Sequence, residues 1–128
     1  MDLKLTGKLA LVTGSTAGIG FAIARSLAIE GAYVYVNGRT QNRVEAAMAA
    51  IRSQAGGTRV DGIAADFSGP AGAEAVIAKL PAVDVLVNNV GIFEPKPFTE
   101  IPDEDWYRLF EINVMSGVRL ARHYLTGC

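Results

Sequence analysis

Apolar residues along this chain arrive in two alternating rhythms. Leu9–Val12 is a short unbroken apolar run, the pattern of a strand covered on both faces. Ile19, Ile23 and Leu27 then recur one helical turn apart, with Ala22 and Ile29 beside them, which predicts a helix over 20–29. Gly31 is placed to end it in a left-handed conformation. Tyr33, Val34, Tyr35 and Val36 are aromatic or β-branched and predict a second strand, with Gly38 and Arg39 in the turn that follows. Asn42, with Glu45 three residues on, resembles a capping pair for an alanine-rich helix running to Arg52. Gly56-Gly57 breaks that helix, and Val60–Ala64 is a third, weaker strand. Pro70, after Ser68 and Gly69, suits the first turn of a helix ending near Lys79. Residues 84–87 form the fourth strand, which runs into Asn88-Asn89-Val90-Gly91. Pro95 and Pro97 mark a loop. Pro102 followed by Asp103, Glu104 and Asp105 favours a helix start, and that helix should continue through Trp106, Phe110, Val114 and Val118 to about Leu125.

The order is βαβαβαβα, with no repeat or internal linker. Helical crossovers force parallel strands, and a doubly wound α/β layer is the natural solution. Ligands of such sheets sit beyond the carboxyl ends of the strands, near the point where strand order reverses. Gly14, Arg39, Asp66 and Asn88 follow the four strands and are delivered to that rim.

The eight residues from Thr13 to Gly20 lie where the first strand turns into the first helix, and three of them, Gly14, Gly18 and Gly20, are glycines. Missing Cβ atoms let backbone approach a ligand closely, and a helix start offers unpaired N–H groups that favour phosphate. A nucleotide site is the reading this context supports. A tight turn that binds nothing would account for one glycine more easily than for three.

Charge and composition narrow the picture by exclusion. A chain of 128 residues, half of them apolar, has the size of one domain with one core. Twelve basic and 13 acidic residues leave no basic block to argue for nucleic acid. The longest uncharged run, 9–24, is too short to span a bilayer. The start, Met1-Asp2-Leu3-Lys4, lacks a signal-peptide pattern, and the lone Cys128 allows no internal disulfide and no cysteine-based metal cluster. A cytoplasmic protein with no metal, no nucleic acid and no membrane partner is the expectation.

With these residues in view, the chain resembles the short-chain dehydrogenase/reductase family over essentially its whole length. Gly14, Gly18 and Gly20 match that family's glycine spacing. Asn88-Asn89-Val90-Gly91 is similar to its N-N-A-G segment, with Val90 replacing the usual alanine. Asp66 stands where the family sets an aspartate against adenine, and Asn113 where it sets a catalytic-site asparagine that holds a water in a proton relay. The resemblance implies a Rossmann-like, doubly wound parallel sheet of about four strands, truncated to the cofactor half, with residues 1–128 as one incomplete NAD(P)-binding domain. It implies cofactor contacts from Gly14, Ser15, Thr16, Gly18, Ile19, Gly20, Arg39, Asp66, Asn88 and Gly91. NAD-binding enzymes carry an acid at the end of the second strand. Here Gly38 and Arg39 stand there, and a guanidinium can bond a 2′-phosphate bidentately. NADP(H) is therefore expected over NAD(H), with Arg43 assisting.

The family's chemistry is hydride transfer between a nicotinamide and a carbonyl or alcohol carbon. It needs a serine and a tyrosine whose pKa is lowered by a lysine four residues on. The four tyrosines, Tyr33, Tyr35, Tyr107 and Tyr124, meet Asn37, Arg39, Glu111 and Cys128 at that spacing, so none qualifies. Of the relay only Asn113 is present. The expectation is a small-molecule oxidoreductase seen through its cofactor half and inactive alone; the alternative is a nucleotide-binding fragment or remnant that catalyses nothing. The fourth strand should be an open edge. The last helix carries more apolar residues than one stripe can bury, and the resemblance implies a homo-oligomer formed through it.

Overall fold

The computed structural model describes residues 2–56 and 59–126. Four parallel strands, β1 (Leu9–Val12), β2 (Tyr33–Gly38), β3 (Val60–Ala64) and β4 (Val85–Val87), pair in the order β3-β2-β1-β4. Strand order reverses between β1 and β4, so the switch point lies at their carboxyl ends. In register, Val12 faces Val36 on one side and Val87 on the other. Among the described residues β4 pairs only with β1, which leaves it a sheet edge as expected.

Helices cover both faces. Helices α1 (Gly18–Ile29) and α2 (Gln41–Ala55) pack over Ala10, Val12, Val34 and Val36. Helix α3 (Pro70–Lys79) and the last helix pack over Leu11 and Ile63, with Leu120 and Tyr124 buried. Alternating residues of β1 thus feed two cores, which is why its sequence is an unbroken apolar run. Gly31, with φ 94, ends α1 in the expected left-handed conformation. Gly56, with φ 49, caps α2, while Gly57 lies outside the described residues.

Four local expectations are corrected. Helix α1 begins at Gly18, not Gly20, and its most deeply buried face is Gly20, Ala24 and Ala28, whereas Ile19 is 76% exposed. Small residues let the helix lie close on the sheet, and the larger Ile23 and Leu27 fill the margins. Strand β2 runs two residues past Val36 because Asn37 and Gly38 pair with Ile63 and Ala64. The N-cap of α2 is Thr40, whose hydroxyl accepts from the Arg43 N–H at 3.3 Å, not Asn42. The last helix is not uniform: α4 (Asp103–Phe110) passes through a π-helical turn (Glu111–Met115) into α5 (Ser116–Tyr124). There the Ser116 N–H reaches back five residues to the Glu111 carbonyl, and its hydroxyl donates to the Ile112 carbonyl at 2.6 Å.

Candidate functional site

The three glycines of the first turn answer to three different demands. Gly14 has φ 59 and Gly18 φ 62, a region other residues enter only with strain. A Cβ on Gly18 would meet nothing within 4 Å, so that position faces open space. Gly20 is buried, and a Cβ there would stand 2.3 Å from the Gly14 carbonyl oxygen and 2.4 Å from Asn89 Nδ2. Its missing side chain therefore serves helix-to-strand packing and not ligand approach. The N-cap of α1 is Ala17, which offers no capping side chain, and the first turn holds no acid. Its leading N–H groups remain available to an anion.

A buried polar frame holds this turn. Thr13 Oγ1 accepts from the N–H groups of Asn89 (3.0 Å) and Val90 (3.2 Å), tying β1 to β4. Asn89 Nδ2 donates to the Gly14 carbonyl at 3.0 Å. Asn37, 1% exposed, accepts from the Gly14 N–H at 3.0 Å through Oδ1 and donates to the Ile63 carbonyl at 3.0 Å through Nδ2. Ser15 is fully buried; its hydroxyl donates to the Val12 carbonyl at 2.7 Å and accepts from the Asn37 N–H at 2.9 Å. The Ser15 side chain thereby braces β1 against β2.

A cleft of about 440 Å³ opens at the carboxyl ends of the strands. Of the expected residues, Gly14, Thr16, Arg39, Asp66 and Gly91 line it, together with Arg43 and Gly38. Gly18 and the exposed Ile19 follow Ala17 at its edge. Arg39 and Arg43 are exposed, and neither guanidinium has an acidic partner among the described residues. Asp66 accepts from the Ser68 N–H at 2.9 Å, which fixes one carboxylate oxygen.

Asn88 is not in the cleft. Its Nδ2 donates to the Gly117 carbonyl at 3.4 Å, joining β4 to α5, and its neighbour Asn89 takes the cleft side. The Asn113 side chain bridges to the same segment. Its amide accepts from the Ile92 N–H at 2.7 Å and donates to the Ile92 carbonyl at 3.0 Å, so both ends of the side chain pin the segment after β4. The residue the sequence reading missed is Asn37, and Asn89 was read only as part of its segment. The signal for Asn37 was present: it is the one amide in a run of aromatic and β-branched residues.

The outer rim is charged. Lys96 pairs with Asp105 and with Glu94 (3.6 Å), and Arg108 with Glu94 and with Asp105 (3.6 Å), stapling the loop after β4 onto α4. The Lys96 ammonium hydrogen-bonded to Asp105 holds that carboxyl below the usual carboxylate range, while Asp105 holds the Lys96 ammonium above its ordinary value.

Open space at Gly18, uncapped amides beside it and two unpaired guanidinium groups suit a phosphorylated nucleotide. The family described as short chain dehydrogenase matches residues 8–127, and the chain belongs to that family. It is 50% identical over 125 residues to the uncharacterized oxidoreductase YvaG of Bacillus subtilis (strain 168), covering 98% of this chain and 47% of YvaG. It is 49% identical over 128 residues to the uncharacterized oxidoreductase YvrD of the same organism, covering 98% of this chain and 48% of that one. Among solved structures, the L-sorbose reductase of Gluconobacter frateurii, complexed with NADPH and L-sorbose, superposes with a TM-score of 0.90 at 37% identity. That match covers 99% of this chain and 49% of the reductase. The chain thus spans about half the length of the relatives it matches. No helix among the described residues is long and apolar enough to cross a membrane.

Proposed function

We propose that this chain provides the nucleotide-binding half of an NADP(H)-dependent oxidoreductase acting on a carbonyl or alcohol. The observation that carries the reading is the end of β2. Gly38 stands there in place of an acid, and Arg39 and Arg43 line the same cleft with neither guanidinium in an ion pair among the described residues. A 2′-phosphate supplies that partner, whereas the ribose hydroxyls of NAD(H) do not. The similar L-sorbose reductase, solved with NADPH, supports the choice. A bound nicotinamide would supply the hydride. This chain's part is to seat the diphosphate at the amides of Gly18 and Ile19, to hold the adenosine between Arg39 and Asp66, and to position the segment after β4 through Asn113.

Calorimetric titration with NADP⁺ and NAD⁺ tests the cofactor assignment. Arg39→Ala should weaken NADP⁺ about tenfold or more and leave NAD⁺ nearly unchanged, the size of one lost charge-assisted hydrogen bond or pair. Unchanged discrimination overturns it.

The alternative of a binding module without turnover draws support from the sequence, since no tyrosine has a lysine four residues on. We expect the chain alone to transfer no hydride; substrate-dependent NADPH oxidation by the purified chain would refute this. The exposed apolar face of the last helix, including Trp106, Phe110, Val114 and Val118, is where a second copy would pack. Light scattering at rising concentration reads this out, and a monodisperse monomer counts against it.

A further inference from the structure

Resting on the reading that the adenosine ribose lies at the end of β2, we infer that Thr16 is a specificity-determining residue. Its side chain holds closed the space through which a carboxylate at position 38 would have to enter. An ideal Cβ on Gly38 would stand 2.4 Å from Thr16 Cγ2 and 3.3 Å from Thr16 Oγ1, against 3.4 Å from Val44 Cγ2. The first distance is well inside van der Waals contact, so a side chain at 38 and the Thr16 methyl cannot both keep these positions. Thr16 is β-branched and short, with few χ1 positions open to it, so it does not fold away as a long side chain would. The clash is therefore not relieved at the far end of a flexible chain. It must be relieved by turning Thr16 or by shifting the glycine turn that carries it.

That turn has little freedom to shift. Residue 15 is buried and bonded to both Val12 and Asn37, and Gly14 is bonded to Asn37 and Asn89. Thr16 thus hangs from a braced backbone over a strand end, Gly38, that is itself paired with Ala64 of β3. Val44 on the other side is fully buried, and its 3.4 Å separation is ordinary contact that needs no adjustment. The obstacle to an acid at this position is one side chain, reached from a loop 22 residues away in sequence.

The consequence is a coupled pair. The absence of an acid at 38 and the presence of a branched residue at 16 are one feature, and cofactor preference cannot be reversed at either position alone. Thr16→Ala removes both Cγ2 and Oγ1 and clears the two nearest contacts. Gly38→Asp supplies the carboxylate that ribose hydroxyls would bond.

The experiment is a double-mutant cycle read by calorimetry with two probes, adenosine 2′,5′-bisphosphate and 5′-AMP, on the wild-type chain, T16A, G38D and T16A/G38D. The wild type should prefer the 2′,5′-bisphosphate. T16A alone should keep that order. G38D alone should lose the bisphosphate without gaining 5′-AMP. The double variant should gain 5′-AMP about tenfold over G38D, the size expected of hydrogen bonds to a charged acceptor. Circular-dichroism melts accompany each variant, with G38A as a further probe of Cβ alone; T16A should rescue the melting temperature lost in G38A. If G38D gains 5′-AMP as fully as the double variant, or if T16A fails to rescue G38A, the coupling is overturned while the nucleotide site stands. If the wild type binds neither probe, the site reading itself falls.

Discussion

The spacing motif of three glycines makes a sharp contrast testable without any ligand. Replacing Gly20 by alanine puts a carbon 2.3 Å from the Gly14 oxygen and 2.4 Å from Asn89 Nδ2. Carbon and oxygen ordinarily approach to about 3.3 Å, so α1 and the turn must separate by about 1 Å. Overpacking of this kind costs about 1–3 kcal/mol. The 3.0 Å bond from Asn89 to Gly14 lies in the path of that shift, and its loss adds about 1 kcal/mol. Alanine's better helix propensity returns roughly 0.5–1 kcal/mol, which leaves a net loss of about 1–3.5 kcal/mol, centred near 2. Gly18→Ala meets no atom, and only its φ of 62 is unfavourable, at about 1–2 kcal/mol. Urea unfolding followed by far-UV circular dichroism should therefore move the midpoint of G20A by about 1–2 M and that of G18A by less. Nucleotide titration should show the opposite emphasis, because the methyl of G18A enters the space left for the diphosphate. Equal midpoints for G20A and wild type, or a larger loss in G18A, would refute the division of labour drawn from these distances.

Other outcomes follow from the same geometry. Asn37→Asp keeps an acceptor for the Gly14 N–H but loses the donor to Ile63 and buries a charge. It should cost on the order of 3 kcal/mol by denaturant titration; a loss near zero would show that the frame is not organised by Asn37. Asn113→Ala should leave global stability within about 1–2 kcal/mol while the Ile92 amide exchanges with solvent at least tenfold faster, read by hydrogen exchange. Asp105 has a folded-state pKa below its unfolded one, so its share of the rim staple is complete above about pH 4 and is lost as pH falls through the folded value. Lys96 has the reverse sign and fails only as pH rises beyond about 10. Carboxyl carbon shifts followed by NMR should show the Asp105 midpoint rising in K96M, and an unmoved midpoint would refute the pairing.

β1, β2 and β4 were legible as short runs rich in apolar, β-branched or aromatic residues, whereas β3, interrupted by Asp61 and Gly62, gave a weaker signal. The helix faces were less so. Ile19 reads as a core position by spacing, yet it is exposed, because Gly20, Ala24 and Ala28 bring α1 too close to the sheet for a larger face. Strand-end logic located Gly14, Arg39 and Asp66 at the cleft but chose Asn88 over Asn89. Adjacent residues at a strand end point to opposite sides, and nothing in an Asn-Asn pair says which side is which. Ser15 resembles an open-turn residue; only the pairing of β1 with β2 shows that its hydroxyl closes a bond between them. The π-helical turn at Asn113 is invisible to a 3.6-residue period, although a lone amide among apolar neighbours marked the place.

The strand order has a kinetic corollary. β1 meets β2 across a short excursion, but Leu9 and Asp84, which join across 75 residues through the Leu9 N–H at 2.8 Å, can associate only when the longest loop in the sheet has closed. The cleft straddles that seam. Its walls come from both sides, Gly14 and Thr16 from one and Asn89 to Ile92 from the other, so a nucleotide that bridges them fastens the contact in the sheet that costs the chain most entropy to close.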